Sequence, residues 1–338
     1  MDREPLPLRQ PLPFEFTGSA GEYFRIWIVN VCLTVLTLGL YAPWAKVRTR
    51  QYFHGHTWLD GASFEYTADP ITLLKGWLVV MALVVGYTLL VPMVPLLDAI
   101  IAIPLLLLTP WLALRTLKFN RYHTRYRNVR FGFEAGYGSA LMVFVLLPLL
   151  SALTLGLLLP YMFYRQKRWL VAHSRFGQAG FEAHFGFAMF YKTYLLAMLL
   201  MLAMAGGIAA LFALQLLPVE LTGLIGLATV PLYYWLYAFL RVRITNIVHN
   251  HSSLDRHRLQ SALRVWPYFL ILISNTLAIV LSLGLALPWA RVRMARYRAA
   301  CTKLLAAGEL DNFLQAQQQA QSAIGEEVGE LLDLELGL

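Results

Sequence analysis

The sequence predicts an all-α polytopic membrane protein: about seven transmembrane or re-entrant helices in a degenerate A-B-A-B-A internal repeat, with short aromatic strand-like pieces at the interface. Three observations predict it. Hydrophobic residues make up 58% of the 338 and charged residues 14%, with a mean hydropathy of +0.57, where soluble domains carry about 45–50% apolar and about 25% charged residues. Several apolar stretches reach the roughly 20 residues that a spanning helix needs. Basic stretches follow most of them, and Trp and Tyr sit at their ends, as an interfacial aromatic belt requires. A soluble domain, a disordered chain and a disulfide scaffold are thereby excluded; Cys32 and Cys301 are the two cysteines and show no metal-ligand spacing.

Residues 1–13 are Pro-rich (Pro5, Pro7, Pro11, Pro13) and lack the basic region, apolar run and cleavage site of a secretory signal. Residues 14–303 form the membrane domain. Its expected spans are Tyr23–Trp44, Thr72–Pro95, Leu97–Leu117, Ser139–Tyr164, Tyr194–Leu217, Leu221–Leu240 and Pro267–Trp289. Two pairs of spans are helical hairpins, because the turns between them are short: Pro92–Pro95 with Asp98, and Pro218–Glu220. These turns carry acids, whereas Lys46–Arg50, Arg115–Arg130, Arg165–Arg175, Arg241–Arg258 and Arg291–Lys303 are rich in Arg and Lys. Residues 304–338 form an acidic cytoplasmic tail with seven acids and no Lys or Arg after Gly308, and its Gln/Ala-rich part suits a short amphipathic helix folded back on basic loops. Before Gly308, 28 basic residues face 12 acids. In so apolar a chain that excess marks cytoplasmic loops and attraction to anionic lipid rather than nucleic acid.

Three stretches align without gaps. They are Leu36-Thr-Leu-Gly-Leu-Tyr-Ala-Pro-Trp-Ala-Lys-Val-Arg48, Leu153-Thr-Leu-Gly-Leu-Leu-Leu-Pro-Tyr-Met-Phe-Tyr-Arg165 and Leu281-Ser-Leu-Gly-Leu-Ala-Leu-Pro-Trp-Ala-Arg-Val-Arg293. Pro43, Pro160 and Pro288 set offsets of 117 and 245 residues. These A units cover about 14–66, 131–183 and 259–302. The B units between them are hairpins in which Arg115, Asn120 and His123 match Arg241, Asn246 and His249 at an offset of 126.

Thr37-Leu-Gly-Leu-x-x-Pro43-Trp-Ala-Lys-Val-Arg48, preceded by Phe14-Glu-Phe-Thr-Gly18 and Glu22-Tyr-Phe24, resembles the YjgN-like family of bacterial inner-membrane proteins, which carry a domain of unknown function. The resemblance covers about Phe14 to Thr302. It implies an inner-membrane location and no assigned activity. The second copy departs from the motif, with Tyr161-Met-Phe-Tyr164 in place of Trp-Ala-Lys/Arg-Val.

Gly39, Gly156 and Gly284 precede Pro43, Pro160 and Pro288 by four residues. Such a proline either kinks a buried helix, freeing a carbonyl that must find a partner, or sits at a helix end near the interface. The charge pattern adds a conflict. Spans that each cross once would invert successive A units, yet all five basic stretches favour the cytoplasm. A re-entrant A unit resolves it, and the middle one, with Pro148, Gly156 and Pro160, is the first candidate. Phe14-x-Phe16, Phe64-x-Tyr66, Phe131-x-Phe133 and the Phe181–Phe185 stretch alternate with a strand period beside the basic stretches.

Three residue sets are candidate sites. Asn30 and Asn275 lie within spans, where polar residues face a bundle interior and mark a pathway or form a helix–helix hydrogen bond; the glycines and prolines of the repeat would border that pathway. Arg48, Arg165 and Arg293, with Trp44 and Trp289, suit lipid phosphate or anion contact, since guanidinium binds phosphate bidentately and stacks on aromatics. His56, His123, His173 and His249 occupy corresponding positions and form a candidate polar or pH-sensing set. No catalytic motif, metal site or cofactor is implied, and an enzyme is not expected. The partners implied are membrane lipids, through anionic head groups on the basic face, and a small solute; nucleic acid is not, and homo-oligomerisation is left open. The function expected is that of a transporter, channel or lipid-handling protein of the inner membrane, or else a non-catalytic scaffold whose basic cytoplasmic face engages lipids or a partner protein.

Overall fold

A computed structural model describes residues 9–90, 97–213 and 222–324. It overturns the all-α reading with seven spans. Ten antiparallel strands among the described residues close into one barrel in the order β1-β10-β9-β8-β7-β6-β5-β4-β3-β2, and paired helices connect them. The aromatic pieces are therefore alternate staves of a single barrel, β1, β3, β5 and β7. Among the described residues two helices are long and apolar enough to cross a membrane, at Pro70–Leu89 and Phe187–Leu211.

The chain runs β1 (Arg9–Phe16), α1 (Ala20–Leu36), α2 (Ala42–Gly55), β2 (Thr57–Leu59), β3 (Ala62–Tyr66), α3 (Pro70–Leu90), α4 (Leu97–Tyr122), β4 (Thr124–Tyr126) and β5 (Val129–Phe133). An apolar rod follows, made of α5 (Tyr137–Leu141), a π-helical turn (Met142–Leu146) and α6 (Leu147–Leu153). Then come α7 (Leu159–Ala172), β6 (Ser174–Phe176), β7 (Ala179–Ala183), α8 (Phe187–Ala213), α9 (Thr222–Asn250), β8 (Ser252–Leu254) and β9 (His257–Ser261). The last elements are α10 (Val265–Leu281), α11 (Leu287–Ala300), β10 (Thr302–Ala307) and α12 (Leu310–Ile324). Residues 302–324, which straddle the expected tail boundary, thus form a barrel stave and a further helix, and Pro11 and Pro13 lie in β1. The expected turns at Pro92–Pro95 and Pro218–Glu220, residues 1–8 and residues 325–338 lie outside the described residues.

Strands joined by two residues form the hairpins of the barrel. Asp60 and Gly61 (φ 48° and 72°), and Arg127 and Asn128 (φ 45° and 66°), occupy left-handed backbone, as the type I′ turn that matches strand twist demands. Period-two alternation then sorts the side chains. The first aromatic of each pair, Phe14, Phe64, Phe131 and Phe181, lines the interior. Its neighbour two residues on, Phe16, Tyr66 or Phe133, shares that face and packs among the helix roots with Tyr52, Phe119 and Trp169 respectively.

One junction recurs where each helical pair returns to the barrel. The carbonyls of His56, His123, His173, His251 and Cys301 accept the amides of Thr17, Thr67, Glu134, His184 and Ala262 at 2.8–3.0 Å. The next residue, Thr57, Thr124, Ser174, Ser252 or Thr302, donates its hydroxyl to the carbonyl four residues back. Helix end and strand start are fastened together by the same pair of bonds each time.

The expected spans Tyr23–Trp44, Ser139–Tyr164 and Pro267–Trp289 are each broken in two, all three at the same place. Leu38, Leu155 and Leu283 (φ 50–51°) and Gly39, Gly156 and Gly284 (φ 87–95°) take left-handed backbone. Each of these glycine amides reaches back to the carbonyl of Thr34, Ser151 or Ile279 at 2.7–2.8 Å, the 6→1 closure that ends a helix. Thr37, Thr154 and Ser282 then accept the amides of Tyr41, Leu158 and Ala286, the residues that precede the next helix. Pro43, Pro160 and Pro288 stand at its first or second position, where the missing N–H is harmless. They start helices instead of kinking them. The turn tips are apolar and bare: Leu38, Leu155 and Leu283 are 90%, 96% and 94% exposed.

Candidate functional site

The barrel encloses a cavity of about 450 Å³, within the roughly 300–1,000 Å³ range of small-ligand sites. Its wall is apolar: Phe14, Phe64, Phe131, Phe176, Phe181, Leu254 and Leu304 face inward. Phe64 stacks against Phe14 and Phe131 at 6.1 and 6.4 Å, and Phe131 meets Phe176 at 4.9 Å. Tyr126 lends its ring to the wall and hides its hydroxyl by donating to the Leu59 carbonyl at 2.6 Å; burial pushes that phenol up to about 12.

One mouth is closed by α12. Leu310 and Leu314 join the buried cluster of Leu59, Tyr126, Val129 and Phe176. Phe313 packs edge-on against His257 at 4.7 Å. The glutamines on the next turns grip strand-turn backbone: Gln317 accepts from the amides of Gln178 and Ala179, Gln318 donates to Arg127, and Gln321 both accepts from and donates to Arg130. Arg127 holds Asp311 and Asp60 together.

The other mouth, at the helix roots, is cationic. Arg121, Lys167 and His249 line it, and among the described residues no acidic side chain lines any part of the cavity. Burial, then the charge of Lys167, holds the His249 imidazole below its ordinary pKa, and its Nδ1 has no hydrogen-bond partner. Burial, then Arg241, lowers Lys167. His257, under α12, is neutral by construction, since its Nδ1 accepts the Ala307 amide at 3.2 Å; burial lowers it despite Asp255. An unneutralised cationic rim over an apolar well suits an anionic head joined to a hydrocarbon tail.

The sequence-derived candidates are dispersed. His56, His123 and His173 cap α2, α4 and α7 at the junctions, and Nδ1 of His56 and His173 donates to the Tyr52 and Trp169 carbonyls at 2.8 Å. The residue in the same place on α9 is His251, bonded to Ile247 at 2.9 Å, while His249 stands two residues earlier and faces the cavity. Arg293 crosses the Trp289 ring at 5.0 Å and donates to Ser274 and Asn275; Arg48 crosses Tyr41 at 5.8 Å instead of Trp44. Arg165 buries an Nε without a partner. Asn30 and Asn275 are both buried. Gly39, Gly156 and Gly284 shape the turns, away from the barrel cavity. Arg121 and Lys167 were missed by sequence reasoning; the amphipathic helix of the tail was expected, but not its place over a barrel mouth. The signal for α12 was present in the spacing of Leu310, Phe313, Leu314, Gln317 and Gln321.

A family profile described as a bacterial protein of unknown function (DUF898) matches residues 11–331. The inner membrane protein YjgN of Salmonella typhimurium is 35% identical over 120 residues, which is 35% of this chain and 30% of that protein. YjgN of Escherichia coli K12 is 31% identical over 123 residues, 36% and 31% of the two chains. The matched segment thus spans under a third of these relatives, whose names support a bacterial inner-membrane location. No solved structure matches the chain.

Proposed function

The chain belongs to the DUF898 family of bacterial proteins of unknown function, and from that premise we propose that it is an inner-membrane protein that holds an anionic amphiphile in its barrel. The hydrocarbon tail fills the phenylalanine-lined well and the acid group meets Arg121, Lys167 and His249. The observation that carries this reading is the one-sided charge of the cavity: among the described residues, an apolar wall, cations at one mouth and no acid.

Connectivity supports a membrane placement. Every helical pair leaves from a strand and returns to a strand, so all pairs project from one side of the barrel. The basic stretches collect at the barrel side, which supports a cytoplasmic placement of that side. The long pairs, α3–α4 and α8–α9, cross and return. The short pairs do not cross: α1, of 17 residues, is about 25 Å long against a hydrocarbon core of about 30 Å. The A-B-A-B-A pattern is then five variants of one strand–helix–helix–strand unit, three re-entrant and two spanning. A dry scaffold would have filled its centre, so the open volume favours binding.

The test is displacement of a fluorescent polyene fatty acid from the full chain in detergent-free nanodiscs. Saturable binding, weakened at least tenfold by Arg121→Gln with Lys167→Gln, is expected. Absence of saturable binding, or equal binding by that double variant, overturns the reading.

A further inference from the structure

A second cavity, of about 410 Å³, lies outside the barrel among α1, α2 and the neighbouring α11. Its polar lining is Asn30, Thr34, Lys46, Thr49, Arg50 and Arg291, with no acid among the described residues. Lys46 and Arg291 occupy the same place in the first and third repeat motifs, 245 residues apart, so the seam between two repeat copies receives the same cation from each side. Arg50 is committed to Tyr66 and Asn120, and Arg291 donates one bond to Tyr23 at 3.0 Å. Lys46 is close enough to Arg50 for their like charges to repel.

Asn30 supplies a second, independent observation. It is 5% exposed, and its Oδ1 is buried with no hydrogen-bond partner. Its counterpart shows what is missing. Asn275 donates to the Ala290 carbonyl at 3.1 Å, and its Oδ1 accepts from Arg293 at 3.2 Å. Around Asn30 the corresponding arginine, Arg48, lies over Tyr41. Where Arg293 has Ser274 as a second acceptor, the first repeat has the apolar Val29. An orphaned acceptor inside a cationic seam asks for a ligand that brings both negative charge and a donor.

We propose that this seam binds a phosphate ester carrying a neighbouring hydroxyl or ammonium group. The phosphoryl oxygens accept from Lys46, Thr49 and Arg291, and the ligand's O–H or N–H donates to Asn30 Oδ1. This chemistry is shared by a phospholipid head group and by a soluble phosphate ester. Trp27, Val31 and Val35 in the same lining give an acyl chain a path along α1.

The experiment uses the full chain in nanodiscs of phosphatidylcholine containing a few per cent phosphatidylglycerol or phosphatidic acid, with bound lipid counted by native mass spectrometry. Phosphatidylglycerol, whose head carries free hydroxyls, is expected to bind at least tenfold more tightly than phosphatidic acid. Asn30→Leu should abolish that preference while leaving apparent Tm at or above the wild-type value. Lys46→Gln and Arg291→Gln should weaken both lipids at least fivefold. Asn275→Leu should change neither, and Lys46→Gln should leave fatty-acid binding in the barrel at the wild-type level, which separates this site from the barrel cavity. Displacement by millimolar glycerol phosphate marks a soluble ester as the source, and its failure marks the lipid. Equal retention of both lipids by wild type, Asn30→Leu and Lys46→Gln overturns the proposal, as does the absence of any bound anion in wild type.

Discussion

The first and last short helical pairs, α1–α2 and α10–α11, are built to one plan and differ in how one shared asparagine is bonded. Both turn through a left-handed Leu-Gly step, hold the residue before the second helix with a hydroxyl and begin that helix with proline. In the last pair Asn275 is bonded at both ends, while in the first the Asn30 oxygen is unpaired beside a cavity. The shared features make the shape. The differing one separates a helix–helix fastening from a place where something else can bind, and identical sequence at the asparagine itself does not distinguish them.

Four experiments break or sharpen this comparison, all read as apparent Tm in one detergent. The largest effect is expected from Gly39→Ala, because φ is +92° and the new Cβ meets the Trp77 ring at 3.3 Å; about 2–3 kcal/mol is expected, against about 1–2 kcal/mol for Gly284→Ala, which meets nothing within 4 Å. Equal losses would show that Trp77 yields freely. Next, Asn275→Leu should cost about 1–3 kcal/mol by stranding Arg293 and the Ala290 carbonyl, whereas Asn30→Leu should be neutral or stabilising; equal penalties would erase the distinction. Third, Thr37→Ala and Ser282→Ala should each cost about 1 kcal/mol through loss of that hydrogen bond, and a difference between them would locate asymmetry in the turns as well.

The smallest effect is a baseline outside both pairs. The His249 imidazole is held below its ordinary pKa when folded, so the unfolded chain binds its proton first. Its contribution is intact above about pH 6.5, the unfolded value, and is lost as pH falls below it toward the folded pKa. His249→Gln should flatten that part of the pH–stability curve. A curve unchanged by the substitution would remove His249 from the acid sensitivity.

The helical pairs were largely legible. Apolar length and basic flanks located the two long pairs, and the Leu-Thr/Ser-Leu-Gly-Leu repeat marked the three short ones but read each as a single span, because these signals are local. The barrel was not, for a physical reason. Staves such as Thr57–Leu59 and Thr124–Tyr126 have three residues, too few for alternation to declare itself, and their stability comes from partners such as Tyr66↔Thr124 and Phe133↔Ser174 far along the chain. The Leu-Gly-Pro phrase was ambiguous between kink and turn because leucine seldom adopts φ near 50°, so nothing in Leu38 announced it. The histidine correspondence slipped because α9 reaches the barrel two residues later than an offset of 126 allows: Thr124 matches Ser252 at 128. That shift moved His249 onto the place of Arg121, both of them lining the cavity.

The barrel closes between its first and last strands, with Arg9–Pro13 of β1 lying against Lys303–Ala307 of β10. On a ribosome those two partners emerge roughly 290 residues apart, which at about 5–20 residues per second is tens of seconds. For that interval β1 waits with an open edge, the kind of surface that recruits wrong neighbours. Pro11 and Pro13, paired with Leu305 and Lys303, offer no N–H on that edge and blunt it until the proper partner arrives. The ring is thus a proofreading step on synthesis: a chain cut short before Thr302 leaves the barrel open, and only one translated through β10 seals it.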